Sequence, residues 1–349
     1  MHALWLVAFF AIFTNGSEEG TFKDTLLKFS IDEVGDFSLL QRVTGSVTPR
    51  IVSSQVKIVE CYNQTVPIIK QGAIADMKEL MTLVFTGNKI NKIKFAAFLN
   101  LPKLEDMVLV NNQIRMIEIG VFGVLPSVSR INLHNNRLTF FEHGTFTNMP
   151  NLMNLIVSNN GLDSIEHQWF DIDSRLTVLE LSNNLIRRIP IDAFKNTQKL
   201  EIVNLSDNKI LTVDERAFEG LSTLFTLNLS NNRIYQLTGR LFKPLVALDE
   251  LMLHGNNLTY IHRQILEDVS TTLKVLTIYS NPWQCACYDN IHQWAAKRAK
   301  LEIDSVIGCK IEFNPVCVIP FTNSEECLED PDDELDYMFY SQFNVTNHC

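Results

Sequence analysis

Spacing is the feature that most constrains this chain. From Leu200 to Thr223 it reads LEIVNLSDNKILTVDERAFEGLST, and the apolar and asparagine offsets of that stretch return upstream and downstream at a nearly constant interval. With Leu200 as position one, apolar residues stand at Val203, Leu205, Ile210, Val213, Phe218 and Leu221, and Asn208 occupies position nine. Alternation at positions one, four and six is that of a strand with one buried face, while the Phe and the second Leu belong to a return segment across a coil. Copies begin at Leu80, Leu104, Val128, Leu152, Leu176, Leu200, Leu224, Leu248 and Leu273, with a degenerate one at Val56; every step is 24 residues except the last, which is 25. Length alone suggests about two domains. The periodicity overrides that expectation, because each turn buries its faces only against its neighbours and the array forms one body.

Position nine is Asn88, Asn112, Asn136, Asn160, Asn184, Asn208, Asn232, Asn256 and Asn281, and only the Val56 copy departs from it, with Gln64. A stacked amide both donates to and accepts from the backbone of the next turn, which satisfies polar groups that the coil buries. Position nineteen is Phe98, Phe122, Phe146, Phe170, Phe194, Phe218 and Phe242, an aromatic spine on the return side. Both sets read as scaffold.

The pattern LxxLxLxxNxLxxLxxxxFxxLxx resembles that of the extracellular leucine-rich repeat proteins of the 24-residue class, and it covers Val56 to Trp283, about two thirds of the chain. The resemblance implies an α/β solenoid: a right-handed leucine-rich repeat horseshoe of about ten turns, with a short parallel β-sheet on the concave face and loops on the convex side. Toll-type receptor ectodomains and the soluble immune leucine-rich repeat proteins of insects are similar to it in architecture. Fold does not name a ligand, so function has to come from exposed positions and from the ends.

Met1 to Gly16, MHALWLVAFFAIFTNG, has the apolar run and small or polar end of a signal peptide, without a basic start; an N-terminal anchor is the other reading. No later stretch reaches the ~18 apolar residues of a membrane span, and the C-terminus is polar, against a lipid-linked tail. These features predict a secreted, extracellular protein with no membrane insertion. The expected division is 1–16 signal peptide, 17–55 N-terminal cap region, 56–283 leucine-rich repeats, 284–327 cysteine-rich C-terminal cap and 328–349 acidic tail. In the N-terminal cap Leu26, Phe29, Ile31 and Val34 alternate weakly, as a strand would, and cover the first turn. The family often closes this end with a cysteine cluster; here the only cysteine is Cys61, at position six, where it reads as a buried free thiol acting as a small hydrophobe.

The other end, LKVLTIYSNPWQCACYDNIHQWAAKRAKLE, resembles the family's cysteine-rich C-terminal cap through its NPWxCxC opening. Trp283 begins the next layer of core. Ile291, Trp294, Ala295 and Ala299 recur at helical spacing as an apolar stripe over the exposed end, leaving Lys297, Arg298 and Lys300 toward solvent. Six cysteines, Cys285, Cys287, Cys309, Cys317, Cys327 and Cys349, read as disulfides behind a signal peptide. A zinc site is the alternative, but C-x-C with irregular later spacings is not a usual zinc pattern. Resemblance to the family cap implies Cys285 with Cys309, and Cys287 with Cys317 or Cys327. Cys349, the last residue, is then the one most free to hold a disulfide-linked partner.

Net charge is −10, and eight acidic residues without a basic one lie between Glu325 and Asp336, so the repeats are close to neutral. That balance disfavours nucleic acid and anionic membranes as partners. The run ECLEDPDDELDYMFY reads as a solvated tail, or as a contact for a basic partner with sulfation at Tyr337 or Tyr340. Signatures of hydrolases, zinc proteases, dinucleotide enzymes and P-loop proteins are missing from the sequence, no cofactor is implied, and catalysis is not expected. His143 and His167 share position sixteen on adjacent turns, as surface histidines or as two ligands of a metal.

Glycosylation sequons stand at Asn63, Asn204, Asn228, Asn257 and Asn344; Asn15 also fits but leaves with the signal. Asn204 and Asn228 occupy position five on consecutive turns, ~4.8 Å apart along the stack, so their glycans compete for space. On the concave face, apolar residues gather in the first half: Met81, Val84, Val108, Val110, Met153 and Ile156, with polar Arg130, Asn132 and His134 between them. Later turns offer Glu180 and the two sequons. Exposed apolar area marks interaction sites, so the first half is the expected face for a protein ligand or co-receptor; packing of these residues on one another is the alternative. The chain thus reads as a binding protein of the kind that serves innate immunity, adhesion or receptor regulation, with a matrix component as the second reading.

Overall fold

The computed structural model of this protein describes residues 20–269, 272–298, 301–304, 317–318 and 326–328. A single thirteen-stranded sheet runs through it. Strands Phe22–Ser30 (β1), Ser38–Gly45 (β2) and Ile58–Tyr62 (β3) begin it, in the order β2-β1-β3, and ten further strands follow in chain order to Glu302–Ile303. From β3 onward every pairing is parallel, one turn to the next: Asp106, Arg130, Asn154, Val178, Ile202 and Thr226 lie in one register row. The residue at the middle of each short strand is buried: Met107, Ile131, Leu155, Leu179, Val203, Leu227 and Leu251 are at most 1% exposed. Their two neighbours point outward, because strand side chains alternate. The leucine-rich repeat solenoid expected from the period is what forms.

The core continues along the return side as stacked rings. Phe98, Phe122, Phe146 and Phe170 follow at centroid distances of 6.4, 6.2 and 5.4 Å, and Phe194, Phe218 and Phe242 at 6.0 and 6.1 Å. Short convex ladders, such as Met116–Ile117 with Phe140–Phe141, tie neighbouring turns where the chain doubles back.

The position-nine amides form the ladder their recurrence predicts. Asn208 Nδ2 donates to the Leu181, Leu205 and Ser206 carbonyls at 3.0, 3.1 and 3.1 Å, and its Oδ1 accepts the Ile186 N–H at 3.1 Å. The same geometry recurs at Asn136, Asn160, Asn184 and Asn232. A second ladder lies beside it at position eight. Asn111, Asn135, Asn159, Asn183, Asp207 and Asn231 all have φ between 53° and 57°, the left-handed region where Asn, Asp and Gly are least penalised. Asn135 Nδ2 donates to Asn111 Oδ1 at 2.7 Å, Asn231 Nδ2 to Asp207 Oδ1 at 3.1 Å, and Asn183 Nδ2 to Asn159 Oδ1. Gly255 takes this place on a later turn with φ 66°, and a Cβ there would lie 2.3 Å from Asn231 Oδ1. Both the backbone and the neighbouring amide therefore require glycine.

At the N-terminal end β1 runs antiparallel to both β2 and β3. The expected strand exists, in a different phase. Phe29 is buried as expected, with Phe22, Thr25, Leu27 and Ser30, whereas Leu26 is half-buried, and Ile31 and Val34 sit in the bend after the strand at 52% and 82% exposure. Cys61 is buried and unpaired, its Sγ 3.2 Å from Asn88 Oδ1, and burial pushes its thiol up to about 12. A thiol so protonated is inert.

At the C-terminal end helix Cys285–Ala296 lays Cys287, Ile291 and Ala295 over the last turn, with Trp294 packed against the core. Trp283 is buried, its Nε1 donating to the Ile278 carbonyl at 2.8 Å. Arg298 lies over the Trp294 ring at 4.1 Å and Lys297 is exposed; Ala299 and Lys300 lie outside the described residues. The pairing implied for Cys285 by the family cap is overturned: it bonds Cys317, and Cys287 bonds Cys327. The cause is local. Gln284 and Val318 form a parallel bridge, with Cys285 N–H donating to the Val318 carbonyl at 3.1 Å, which sets Cys317 beside Cys285. The buried Gln284 side chain then clasps Leu328, donating to its carbonyl at 2.9 Å and accepting its N–H at 3.1 Å, and Cys327 is carried to Cys287. Cys309 and Cys349 lie outside the described residues.

Candidate interaction face

Outward strand positions form rows across the concave sheet. Position five runs Val84, Val108, Asn132, Ile156, Glu180, Asn204, Asn228, Met252 and Thr277, each directly paired with the next. The first half of that row is apolar except for Asn132, whose Oδ1 accepts the His134 N–H at 3.0 Å. Val84, Val108, Asn132 and Ile156 are half-buried, as adjacent side chains on parallel strands are, and their outer surfaces remain open. Val110 and His134 are half-buried on the next outward row.

Met81 and Met153, both at position two, are separated by Glu105 and Ser129. They flank the apolar row and do not form a stripe of their own; Met153 is 44% exposed. Arg130 is held by a bidentate pair to Asp106, Nε to Oδ1 at 2.9 Å and Nη2 to Oδ2 at 2.5 Å. That hydrogen-bonded carboxylate raises the guanidinium further above its ordinary value. The pair borders a shallow cavity of about 360 Å³, whose lining also includes Met81, Glu105, Asn154 and the Glu33–Lys57 ion pair. Asp106 and Glu105 escaped the sequence reading. Opposite charges 24 residues apart were the available signal, since Asp106 with Arg130, Glu79 with Lys103 and Glu33 with Lys57 all pair at that separation.

His134 is fixed at both ring nitrogens. Asn159 Nδ2 lies 3.3 Å from Nε2 and Ser158 Oγ 2.7 Å from Nδ1. The amide is a donor, so Nε2 accepts and Nδ1–H donates to the serine.

The later half of that row is polar except for Met252, and Ile202 and Phe225 are exposed on the outward rows beside it. Asn204 Nδ2 donates to Glu180 Oε2 at 2.9 Å, and the Asn204 and Asn228 Oδ1 atoms each accept a backbone N–H, from Ser206 and Ser230, at 3.0 Å. The two sequon asparagines are direct register partners. Asn63 is exposed with φ 52°, Asn257 is half-buried, and Asn344 lies outside the described residues. Farther on, His254 stacks on Tyr279 with ring centroids 4.4 Å apart and meets Thr277 Oγ1 at 2.7 Å. Burial lowers its pKa to about 4, partly opposed by Asp207. On the convex side, His143 Nε2 meets Glu166 Oε2 at 2.8 Å, while His167 begins a short 3-10 turn, His167–Trp169. Among the described residues no group of three metal-ligating side chains converges.

A family model described as leucine rich repeat matches residues 105–162, 126–172 and 174–234. With the 24-residue register and the paired strands, this establishes the fold: the chain forms a leucine-rich repeat solenoid. A search of curated proteins by sequence finds no match. Among solved structures, one chain of an octameric complex of Latrophilin 3, Unc5D and the leucine-rich repeats of FLRT2 is similar at 20% identity and TM-score 0.59, over 83% of this chain and 93% of that one. A chain of the Toll–Spatzle complex from Drosophila is similar at 21% identity and TM-score 0.57, over 66% of this chain and 36% of that one. At such identities the likeness is one of fold.

Proposed function

We propose that this chain is a secreted recognition protein that binds another protein through the first half of its concave face. The observation that carries this reading is the position-five row, where Val84, Val108 and Ile156 keep an open apolar surface beside the fixed charges of Arg130 and Asp106. An apolar strip edged by an ordered ion pair suits a protein surface, which needs desolvated contact and orientation together. Glycans on Asn204 or Asn228 would shield the later half. Two disulfides in the cap and the sequons support an extracellular setting, and among the described residues no helix is long and apolar enough to cross a membrane. The similar solved chains come from complexes with protein partners, which favours recognition in immunity, adhesion or receptor regulation over a matrix role, and binding over catalysis.

Crosslinking the protein in its native fluid and identifying what accompanies it supplies the partner. Val108→Glu with Ile156→Glu is then expected to abolish capture while thermal unfolding stays nearly unchanged. Undiminished capture by that folded double variant would refute the concave reading, and co-purification with fibrils would favour the matrix one. The described bonds use Cys285, Cys287, Cys317 and Cys327, so the remaining cap cysteines are Cys309 and Cys349. We assign Cys349 to a disulfide with a partner. Non-reducing electrophoresis should show a larger species that Cys349→Ser abolishes; a Cys309–Cys349 bond found by peptide mapping would rule this out.

A further inference from the structure

Among the described residues, no strand covers the N-terminal side of the repeat sheet. β2 is the edge, and the hydrogen-bonding parity of its neighbours shows which backbone groups it leaves open. Ile31 N–H donates to the Phe37 carbonyl and Lys57 N–H to the Ser30 carbonyl, so the odd-numbered residues of β1 bond β2 and the even-numbered ones bond β3. By the same alternation Leu39 and Gln41 turn their backbone groups toward β1, while Ser38, Leu40 and Arg42 direct theirs outward.

The side chains at this edge are not those of a protected one. Phe37, Leu39 and Leu40 are 74%, 62% and 64% exposed. Leu39 and Phe37 open onto a groove of about 370 Å³ that is floored by Phe29, Val52 and Val56, the buried end of the core. Soluble proteins blunt such edges with proline, inward charges or bulges. Here no proline lies between Ile31 and Gly45, and the one irregularity of the β1–β2 ladder falls at its far end, between Phe22 and Thr25.

We propose that β2 pairs antiparallel with β2 of a second copy of this chain, about a twofold axis at Leu39. The occupant follows from self-complementarity. With Leu39 on the axis, Ser38 and Leu40 of one copy lie opposite Leu40 and Ser38 of the other, so the outward backbone groups meet as hydrogen-bonded pairs. Leu39 faces Leu39 in the non-bonded pair, where side chains approach most closely, and the two apolar grooves join. Two residues ahead of β2, in the bend where Asp32 Oδ2 holds its backbone N–H, exposed Asp36 comes toward Arg42 of the other copy, twice. Arg42 already donates to the Asp24 carbonyl and carboxylate at 2.8 and 2.9 Å; that exposed pair is weak enough to be shared. An isologous pairing of this kind uses the edge in both copies and closes.

Sedimentation velocity of the full chain tests this, in a Cys349→Ser background so that no disulfide through that residue can produce the dimer. The parent should dimerise reversibly with concentration, and Leu40→Lys should weaken association by at least about tenfold. Asp36→Arg and Arg42→Asp should each weaken it, and the two together should restore it. Thermal unfolding confirms that each variant is folded. A parent that stays monomeric at every concentration, or a dimer indifferent to Leu40→Lys, overturns the proposal. So does a double charge swap no better than either single one.

Discussion

Replacing Asn208 by leucine isolates what the amide ladder contributes, because the two side chains are similar in size and the site is buried. The Nδ2 donor is partly redundant. Leu181 O also accepts from Asn184 Nδ2 at 3.0 Å, Leu205 O from Asn232 Nδ2 at 2.9 Å, and Ser206 O from Asn183 N–H at 2.9 Å, so each carbonyl keeps a partner in the variant. The acceptor has no understudy. Ile186 N–H, itself buried, donates to Asn208 Oδ1, and leucine leaves that bond unmade. The cost is that of one orphaned buried amide, about 1–3 kcal/mol. In urea the midpoint should fall by about 0.3–1 M if the slope is about 3 kcal/mol/M. Amide exchange at Ile186 should accelerate more than at neighbouring turns, which reports the lesion locally even if the array does not unfold in two states. Asn208→Asp should be the worse variant, since it keeps the acceptor but turns a carboxylate oxygen toward three carbonyls. An unchanged midpoint for Asn208→Leu, with Ile186 still protected, would refute the ladder argument.

The remaining expectations address surface and acid behaviour. The concave double variant Val108→Glu with Ile156→Glu loses its partner and keeps its fold; Leu40→Lys loses the dimer; Cys349→Ser loses the disulfide-linked species. His254 has a folded pKa near 4, lowered by burial from an ordinary 6.5, so its contribution is fully present above about pH 6.5 and is lost as pH falls toward 4. Between about pH 7 and pH 5 this group alone should remove on the order of 1–2 kcal/mol of stability. His254→Gln should flatten that part of the urea-midpoint profile, and an equally steep profile in the variant would refute the assignment.

What the sequence made legible was whatever repeats. A buried row recurs every turn because each turn meets an identical neighbour, so Val203 or Phe218 could be placed without coordinates. Position eight repeats less strictly, with Gly87, Asp207, Gly255 and Ser280 among its asparagines, because its cause is backbone conformation: each of these residues holds a positive φ. The ends carry no period and were correspondingly harder. In β1 a one-residue shift exchanges every inward side chain for an outward one, which is why Leu27 is buried and Leu26 only half-buried. The disulfide pairing depended on a single glutamine: nothing in the spacing of six cysteines announces that Gln284 will hold Leu328 and so deliver Cys327 to Cys287.

The concave face shows why scaffold and site separate in such a molecule. Positions one, four, six and nine face the neighbouring turn and are constrained to apolar or amide side chains. Positions two, three and five meet the same backbone but only one another's side chains, so charge can vary from turn to turn at little cost to the fold. That freedom placed Asp106 beside Arg130, and Glu180 beside Asn204. A departure from neutrality or polarity on these rows is therefore not demanded by stacking. The apolar run at Val84, Val108 and Ile156 is such a departure, and the flanking turns show that the solenoid folds equally well with asparagine or glutamate in the same row. Substitution there should consequently separate binding from stability, which substitution at Val203 or Asn208 cannot do.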